Sequence, residues 1–313
     1  MDILITGIHG FVGSNLTAAL GERHCIYGLS TSFSKVEGVI KIFPWQDIDK
    51  IPDIDVIIHL VGKAHDTGNK TKTGLYFDIN TGLTKEIFDK FLSSKAKKFI
   101  FFSSVKAAAD SVEGVLTEDF VPSPRGAYGE SKFAAEEYIR SILASMPLPD
   151  KQVYILRPCM IHGPGNRGNL NLLYNVARRG LPWPLGAFDN RRSFTSIDNL
   201  IYILKNIVER NVAPGLYNIA DDGVLSTNKI IQMMCEINSK KCRILRINKK
   251  IIKCAASAGS IFRLPLNRDR LKKLTEDYIV SNEKIKKALG IEFLPLSAEK
   301  GLIKTLSYFA SRA

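Results

Sequence analysis

Thr6-Gly7-Ile8-His9-Gly10-Phe11-Val12-Gly13 (TGIHGFVG, 6–13) stands between a short apolar run, Asp2 to Thr6, and a stretch with helical spacing, Phe11 to Leu20. A glycine trio with a strand before it and a helix after it is the context of a turn that wraps a dinucleotide pyrophosphate. Gly7 permits the tight turn, Gly10 lets backbone approach a pyrophosphate, and Gly13 lets the helix pack on the strand. Phe11 and Val12 open the helix, whose unpaired N–H groups would meet the phosphates. The spacing is GxxGxxG rather than GxGxxG, so the flanking strand and helix carry the reading more than the glycines do.

Outward from this turn the chain alternates. His24 to Ser30 and Val39 to Phe43 read as strands, and Asp55 to Val61 as a wholly apolar one. Asp78 to Ser94 reads as a helix, Lys98 to Ser103 as a buried strand, Gly129 to Ala144 as a helix, and Gln152 to Arg157 as a further strand. Strands apolar on both faces and separated by helices predict an α/β fold, a doubly wound parallel sheet with helices on both sides. Beyond residue 160 the rhythm breaks into loops with Pro and Gly. Residues 1–160 are therefore expected to bind the nucleotide, with one or two later segments returning to them. Residues 161–313 are expected to form mainly a smaller α/β substrate-binding lobe.

Composition narrows the function classes. Hydrophobic residues at 45% and charged ones at 24% are ordinary for a globular chain of 313 residues. No run of 18 apolar residues occurs, and the N-terminus opens directly into a strand pattern, so neither a membrane span nor a signal peptide is expected. Five scattered cysteines suggest neither a disulfide framework nor a metal site, which points to a reducing, cytoplasmic setting. The net charge of +13 is lopsided: between Lys240 and Lys287 fifteen Lys/Arg face four acids. Such an excess suits a phosphate-bearing substrate or proximity to an anionic membrane surface. No nucleic-acid motif accompanies it, so no nucleic-acid partner is expected.

The end of the second strand bears on the cofactor. An acidic residue normally holds the adenosine ribose hydroxyls there, but Leu29 is followed by Ser30-Thr31-Ser32, with Lys35 nearby. Hydroxyls and a lysine suit a 2′-phosphate, which favours NADP(H) over NAD(H). Alternatively, Asp47 takes the ribose or adenine contact. Ile48 beside it and Leu60 near the end of the third apolar strand complete the expected cofactor-binding set.

Tyr128-Gly129-Glu130-Ser131-Lys132 places a phenol and an ammonium four residues apart, on one face of a helix. A cation about 4 Å from a phenolate is worth roughly 4 kcal/mol at an effective dielectric near 20. At about 1.4 kcal/mol per pKa unit, that could bring the phenol from about 10 to about 7, where it trades protons. Many solvated helices carry such a pair by chance. Here it follows a buried strand, Lys98 to Ser103, that ends in hydroxyls at its carboxyl end, where open α/β sheets bind ligands.

TGIHGFVGSNL, DVIIHLV, FIFFSS, YGESK and LRPCMIHGPG, in that order and spacing, resemble the extended short-chain dehydrogenase/reductases that act on nucleotide-diphosphate sugars. The resemblance runs from Met1 to about Leu302. It implies a Rossmann-type domain with a small substrate lobe, Ser104, Tyr128 and Lys132 as catalytic triad, and a UDP-sugar between the lobes. It also implies that Tyr128 and Lys132 touch the cofactor, that Arg192 grips the diphosphate, and that Asn169 sits near the phosphates. Arg268 or Arg270 would be a second phosphate arginine, Asn80 and Lys106 would face the sugar, and a homodimer is a natural expectation. His59 and His162 receive no catalytic role, and Trp183 suits the core as well as a uracil contact.

The departures select among activities. Dehydratases of this group carry an Asp-Glu pair directly after the catalytic hydroxyl, where this chain has Val105 and Lys106. A lysine cannot serve as that carboxylate, which speaks against 4,6-dehydration. The common epimerases place Tyr-Gly shortly after the Ser, where this chain reads Ala107-Ala108-Ala109. HLVGKAH, SSVKA, RGLPWPLGAFDNRRSFTSIDNL and IVSNEKIKKALG resemble a branch of bacterial surface-polysaccharide enzymes. That branch holds UDP-sugar 4-epimerases and reductases of UDP-4-keto-6-deoxy-N-acetylhexosamines. The expected reaction is hydride transfer at C4 of a nucleotide-linked hexose, with reduction placed ahead of epimerisation by tightly bound NAD. A non-catalytic NAD(P)-binding regulator is the remote alternative.

Overall fold

The structure, a computed structural model, describes residues 1–63, 72–166, 168–261 and 266–312. The first half runs β1 (Asp2–Thr6), α1 (Phe11–Leu20), β2 (Cys25–Leu29), β3 (Val39–Phe43), β4 (Val56–His59), α2 (Thr73–Phe77), α3 (Leu83–Ser93), β5 (Lys98–Phe102), β6 (Val115–Leu116), α4 (Ala127–Ser145) and β7 (Gln152–Pro158). The second half runs β8 (Met160–His162), α5 (Asn169–Arg178), β9 (Phe194–Ser196), α6 (Ile197–Glu209), β10 (Gly215–Ile219), α7 (Thr227–Ile237), α8 (Lys249–Ile261), α9 (Arg268–Thr275), β11 (Ile279–Val280), α10 (Glu283–Leu289) and α11 (Ala298–Ser311).

Seven strands form one parallel sheet in the order β10-β7-β5-β4-β1-β2-β3. Period-2 alternation explains why both faces are apolar: Ile3 and Ile5 of β1 enter the core under α1 and α6, while Leu4 enters the opposite core under α3 and α4. In β5, Ile100 and Phe102 take the first face and Phe99 and Phe101 the second. Such strands cannot be left half-solvated, so helices must cover both sides. This is the doubly wound, Rossmann-type sheet. Three segments beyond residue 160 lie with it, more than the one or two expected: β10 pairs with β7, α6 packs beside α1, and α10 packs on β10, with Ile285 and Leu289 in the core. A third core gathers residues of α5, α7, α8, α9 and α11.

The local boundaries have physical causes. α4 starts at Ala127, two residues before the expected Gly129. Gly126 breaks the loop at φ +81°, and its N–H donates to the Glu130 carboxylate at 3.0 Å across the first turn. The helix expected over Asp78 to Ser94 begins earlier, at Thr73, and carries a π-turn over Asp78–Gly82 between α2 and α3. Residues 64 and 65, the last two of the HLVGKAH motif, lie outside the described residues. Among the described residues, no helix is long and apolar enough to cross a membrane, and no cluster of three metal-ligating side chains occurs.

Candidate functional site

The winding of the sheet reverses at β1: β2 and β3 lie on one side of it, and β4 and β5 on the other. A crevice opens beyond the carboxyl ends of the strands at such a switch point. The glycine turn sits there. Gly7 adopts φ +72°, a conformation that side chains resist. A Cβ at Gly13 would stand 2.3 Å from the Gly7 carbonyl oxygen, and one at Gly10 would stand 3.2 Å from the same atom. Backbone thus lines a cradle that any side chain would fill, and α1 points its N-terminus into it. The residues fit a dinucleotide pyrophosphate.

The neighbours of this cradle divide. The N–H groups of Leu60 and Val61 donate to Thr6 Oγ1 at 3.1 and 3.2 Å, which ties the end of β4 to the turn. Ser30 is buried, and its hydroxyl meets His9 Nδ1 at 3.1 Å. His9 also reaches the Ser34 carbonyl through Nε2 at 2.9 Å. Asp47 and Ile48 lie on a 3-10 turn after β3, where Asp47 pairs with Lys50 at 2.8 Å and Ile48 packs under the sheet. The structure therefore gathers His9, Ser30 and Ser34 where a ribose carboxylate is usual. His9 was not singled out from sequence, because a glycine-loop x position carries no periodic signal.

A second group of residues converges after β5. Ser104 is buried at the start of a one-turn 3-10 helix, Val105–Ala107, and its Oγ accepts the Lys106 N–H at 3.2 Å. The Ser104 hydroxyl also hydrogen-bonds Tyr128. α4 presses onto this turn because Gly129 has no side chain: a Cβ there would stand 2.5 Å from the Lys106 carbonyl oxygen. The same helix carries Lys132, only 4% exposed, whose Nζ donates to the Phe102 carbonyl at 2.8 Å. Burial lowers the Lys132 pKa to about 8, with Glu136 one turn later acting in the opposite direction.

The phenol does not follow the sequence-based expectation. Burial pushes the Tyr128 pKa up, the Ser104 hydrogen bond opposes this, and Tyr76 adds to it. The ammonium expected to draw the phenol toward neutrality is itself desolvated and turned onto the Phe102 carbonyl. In the protein alone, then, Tyr128 is a phenol poised to donate a proton rather than a phenolate.

Behind Lys132 lies a buried network that sequence reading missed. Arg157 of β7 grips Glu136 through Nε at 2.8 Å and Nη2 at 2.5 Å, and both residues are fully buried. Ser103 donates to the same carboxylate at 2.5 Å, and Arg140 adds a contact at 3.3 Å. Glu136 lies four residues after Lys132, a spacing that could have flagged it. His59 is likewise buried, held by Thr6 Oγ1 at 2.8 Å and Thr84 Oγ1 at 3.0 Å; burial, and Lys132 after it, keep its pKa low. It fastens β1, β4 and α3 together.

Asn80 is placed differently from the expected sugar contact. It is fully buried on the π-turn, its Oδ1 accepts the Lys63 N–H at 2.7 Å, and its Nδ2 donates to Ser131 Oγ at 2.9 Å and the Lys63 carbonyl at 3.2 Å. With both ends committed, it positions the loop after β4 against α4. Gly62 on that loop leaves room for the lysine, since a Cβ there would stand 2.7 Å from Lys132 Nζ.

Cations collect beside the Ser104 turn. Lys106 Nζ bonds Asp110 Oδ1 at 2.9 Å and lies 4.8 Å above the Tyr278 ring. Burial lowers the Lys106 pKa, Asp110 opposes this, and the charges of Arg192 and Lys273 add to the lowering. Arg192 is held between Leu225 and Tyr278 by backbone bridges, and its Nη1 donates to the Lys273 carbonyl. Lys272 approaches Asp110 at 3.5 Å from α9. Lys106 and Lys272 share the Asp110 carboxylate, and Lys272 also approaches Glu276 at 3.7 Å. With Arg192 and Lys273, four cations against two carboxylates leave a positive surplus that suits a diphosphate.

The two arginine candidates separate. Arg268 donates through Nε to Ser257 Oγ at 2.9 Å and lines a cavity of about 530 Å³ with Lys249, Lys253 and Lys272. Arg270 is exposed on α9. Lys272 and Lys273 reach the Lys106–Arg192 group, and sequence reading passed over them as part of a general charge excess. Asn169 heads α5.

Comparison with known proteins places this geometry. The chain is 28% identical to the UDP-glucose 4-epimerase of Vibrio cholerae, over 98% of this chain and 95% of that one. It is 26% identical to the N-acetyl-α-D-glucosaminyl-diphospho-ditrans,octacis-undecaprenol 4-epimerase of Escherichia coli O157:H7, with the same coverage. The fold matches UDP-glucuronic acid 4-epimerase from Bacillus cereus, solved in complex with NAD, at a TM-score of 0.73, with 20% identity and 99% of both chains covered. Residues 3–220, well over half of the chain, match the NAD dependent epimerase/dehydratase family. With its glycine cradle at the switch point of a parallel sheet, the chain belongs to that family, as a nicotinamide-dependent enzyme of the extended short-chain dehydrogenase/reductase type.

Proposed function

We propose that this enzyme reduces the C4 ketone of a UDP-4-keto-6-deoxy-N-acetylhexosamine, with NADPH as hydride donor, in surface-polysaccharide biosynthesis. A bound nicotinamide supplies the hydride. Tyr128 donates its phenolic proton to the developing alkoxide, Ser104 orients the oxygen, and Lys132 holds the nicotinamide ribose and supports the phenolate that remains. Lys106, Arg192, Lys272 and Lys273 hold the diphosphate. The observation that carries the reading is the end of β2, where His9 meets the Ser30 hydroxyl and the Ser34 carbonyl at the position usually held by a ribose carboxylate. A carboxylate there would repel a 2′-phosphate, whereas Ser30-Thr31-Ser32 with Lys35 nearby offers hydroxyls and a cation. A cofactor drawn from the reduced phosphorylated pool is consumed at each turnover, which is the logic of a reductase.

A second reading, UDP-hexose 4-epimerisation with retained NAD, is favoured by the two full-length relatives, both named as 4-epimerases. In that cycle Tyr128 first accepts the C4 hydroxyl proton and later returns it. The two readings separate on one bench. Stoichiometric loss of reduced-nicotinamide absorbance with a UDP-4-keto-6-deoxyhexosamine supports reduction. Interconversion of gluco and galacto UDP-sugars without added cofactor, and no NADPH loss, supports epimerisation. Full activity in Tyr128→Phe would remove both.

A further inference from the structure

KKCRILRINKKIIK (240–253) carries seven cations and no acid, and the cation cluster of the site uses none of its outward-facing residues. The segment is not a random charged loop. Trp183 and Leu185 bridge Ile244 and Arg246, so the chain here runs extended, with Ile244 and Ile247 packed inward and Arg243 and Leu245 outward. It then enters α8, which buries Ile252 and Ala256 against the second-lobe core. A helix anchored in this way should turn polar residues to water. Instead Ile251, Cys254, Ala255 and Ala258 form an exposed stripe at i, i+3, i+4 and i+7, with Ile251 61% exposed. Lys250 and Lys253 flank that stripe. Leu245 and Leu181, the latter two residues before the strand-like pairing at Trp183, add exposed apolar surface at 46% and 50%.

Cations alone would suit any polyanion, including a nucleic acid or an acidic protein. A cationic rim around an exposed apolar stripe is the pattern of a helix lying in the headgroup layer of an anionic membrane, where lysines meet the phosphates and the apolar face enters the acyl boundary. We infer that the 240–253 segment and α8 form a membrane-docking face, whose occupant is the surface of an anionic phospholipid bilayer. The position suits the site. α8 packs on α9, and Lys249, Lys253, Arg268 and Lys272 line the cavity between them. Lys272 continues from this cavity to Asp110 and the Lys106–Arg192 group. A docked enzyme would hold its anion-binding cleft beside the bilayer. Docking itself does not depend on which C4 reaction the enzyme performs.

Vesicle co-sedimentation of the full chain tests the inference. Strong binding is expected to phosphatidylglycerol/phosphatidylethanolamine vesicles, weak binding to phosphatidylcholine, and loss of binding as salt rises. Lys241→Gln with Arg243→Gln, two exposed positions outside the cavity, should lower the partition coefficient roughly thirtyfold. Ile251→Asn, which leaves the charge unchanged, should lower it as well, at unchanged circular dichroism. Equal binding to the two vesicle types would overturn the inference. So would an Ile251→Asn variant that binds like the parent, since the face would then be a plain ion exchanger. Binding to heparin or duplex DNA without binding to anionic vesicles would also overturn it.

Discussion

Lys132→Met should make the cofactor-free protein more stable at neutral pH while abolishing hydride transfer. Lys132 is 4% exposed, and burial lowers its pKa from 10.5 to about 8. A folded-state pKa below the unfolded one means that keeping the ammonium charged opposes folding. The cost is full below pH 8, at roughly 3 kcal/mol from about 1.36 kcal/mol per unit. It fades as pH rises from 8 toward 10.5, where the unfolded chain still binds the proton and the folded one has released it. Methionine fills similar volume without charge, but leaves the Phe102 carbonyl without its 2.8 Å donor. That loss offsets about 1–2 kcal/mol. A net gain of roughly 1–2 kcal/mol remains at pH 7, a few degrees in melting temperature for a chain of this size. Differential scanning calorimetry of both proteins at pH 7 and pH 9.5, without cofactor, reads it. The variant should lead at pH 7, and the gap should close at pH 9.5. A variant less stable than the parent by the same margin at both pH values would refute the reasoning.

Tyr128→Phe removes the proton donor while keeping the ring, so C4 turnover should fall roughly 10²–10⁴-fold with cofactor affinity nearly unchanged, as read by nicotinamide fluorescence titration. Gly13→Ala places a methyl 2.3 Å from the Gly7 carbonyl. It should cost about 1–3 kcal/mol of stability and erase the melting shift that NAD(P)(H) otherwise produces. Glu136→Gln strands the buried Arg157 guanidinium and should destabilise by about 3–5 kcal/mol in urea unfolding; a change within about 1 kcal/mol would show the pair to be idle. Arg192→Lys keeps charge but gives up a planar fork, so kcat/KM for the sugar diphosphate should drop roughly ten- to a hundredfold, mostly through KM.

Much of the candidate site's layout was legible in the sequence. Glycines in a strand–turn–helix context, hydroxyls at a strand end and a Tyr-Lys pair on a helix are local patterns, and local patterns survive in one dimension. The exceptions are instructive. The family resemblance implied that Asn80 faces the sugar, yet the π-turn directs it into the protein, where it bonds Lys63 and Ser131. Arg268 and Arg270 were indistinguishable as neighbours on a basic stretch. Only the rotation of α9 puts Arg268 into a cavity and brings Lys272 and Lys273 to the Lys106–Arg192 group.

By itself the sequence determined the class of sheet, since strands apolar on both faces can only be buried between helices, and it named the candidate proton-transfer groups. The tertiary structure alone decided their state. Whether Lys132 lowers the pKa of Tyr128 depends on where the ammonium points and how much water reaches it, and both follow from Phe102, Glu136 and the fit of Gly129 against Lys106. Desolvation and direction are properties of packing, and residue spacing along a chain does not contain them.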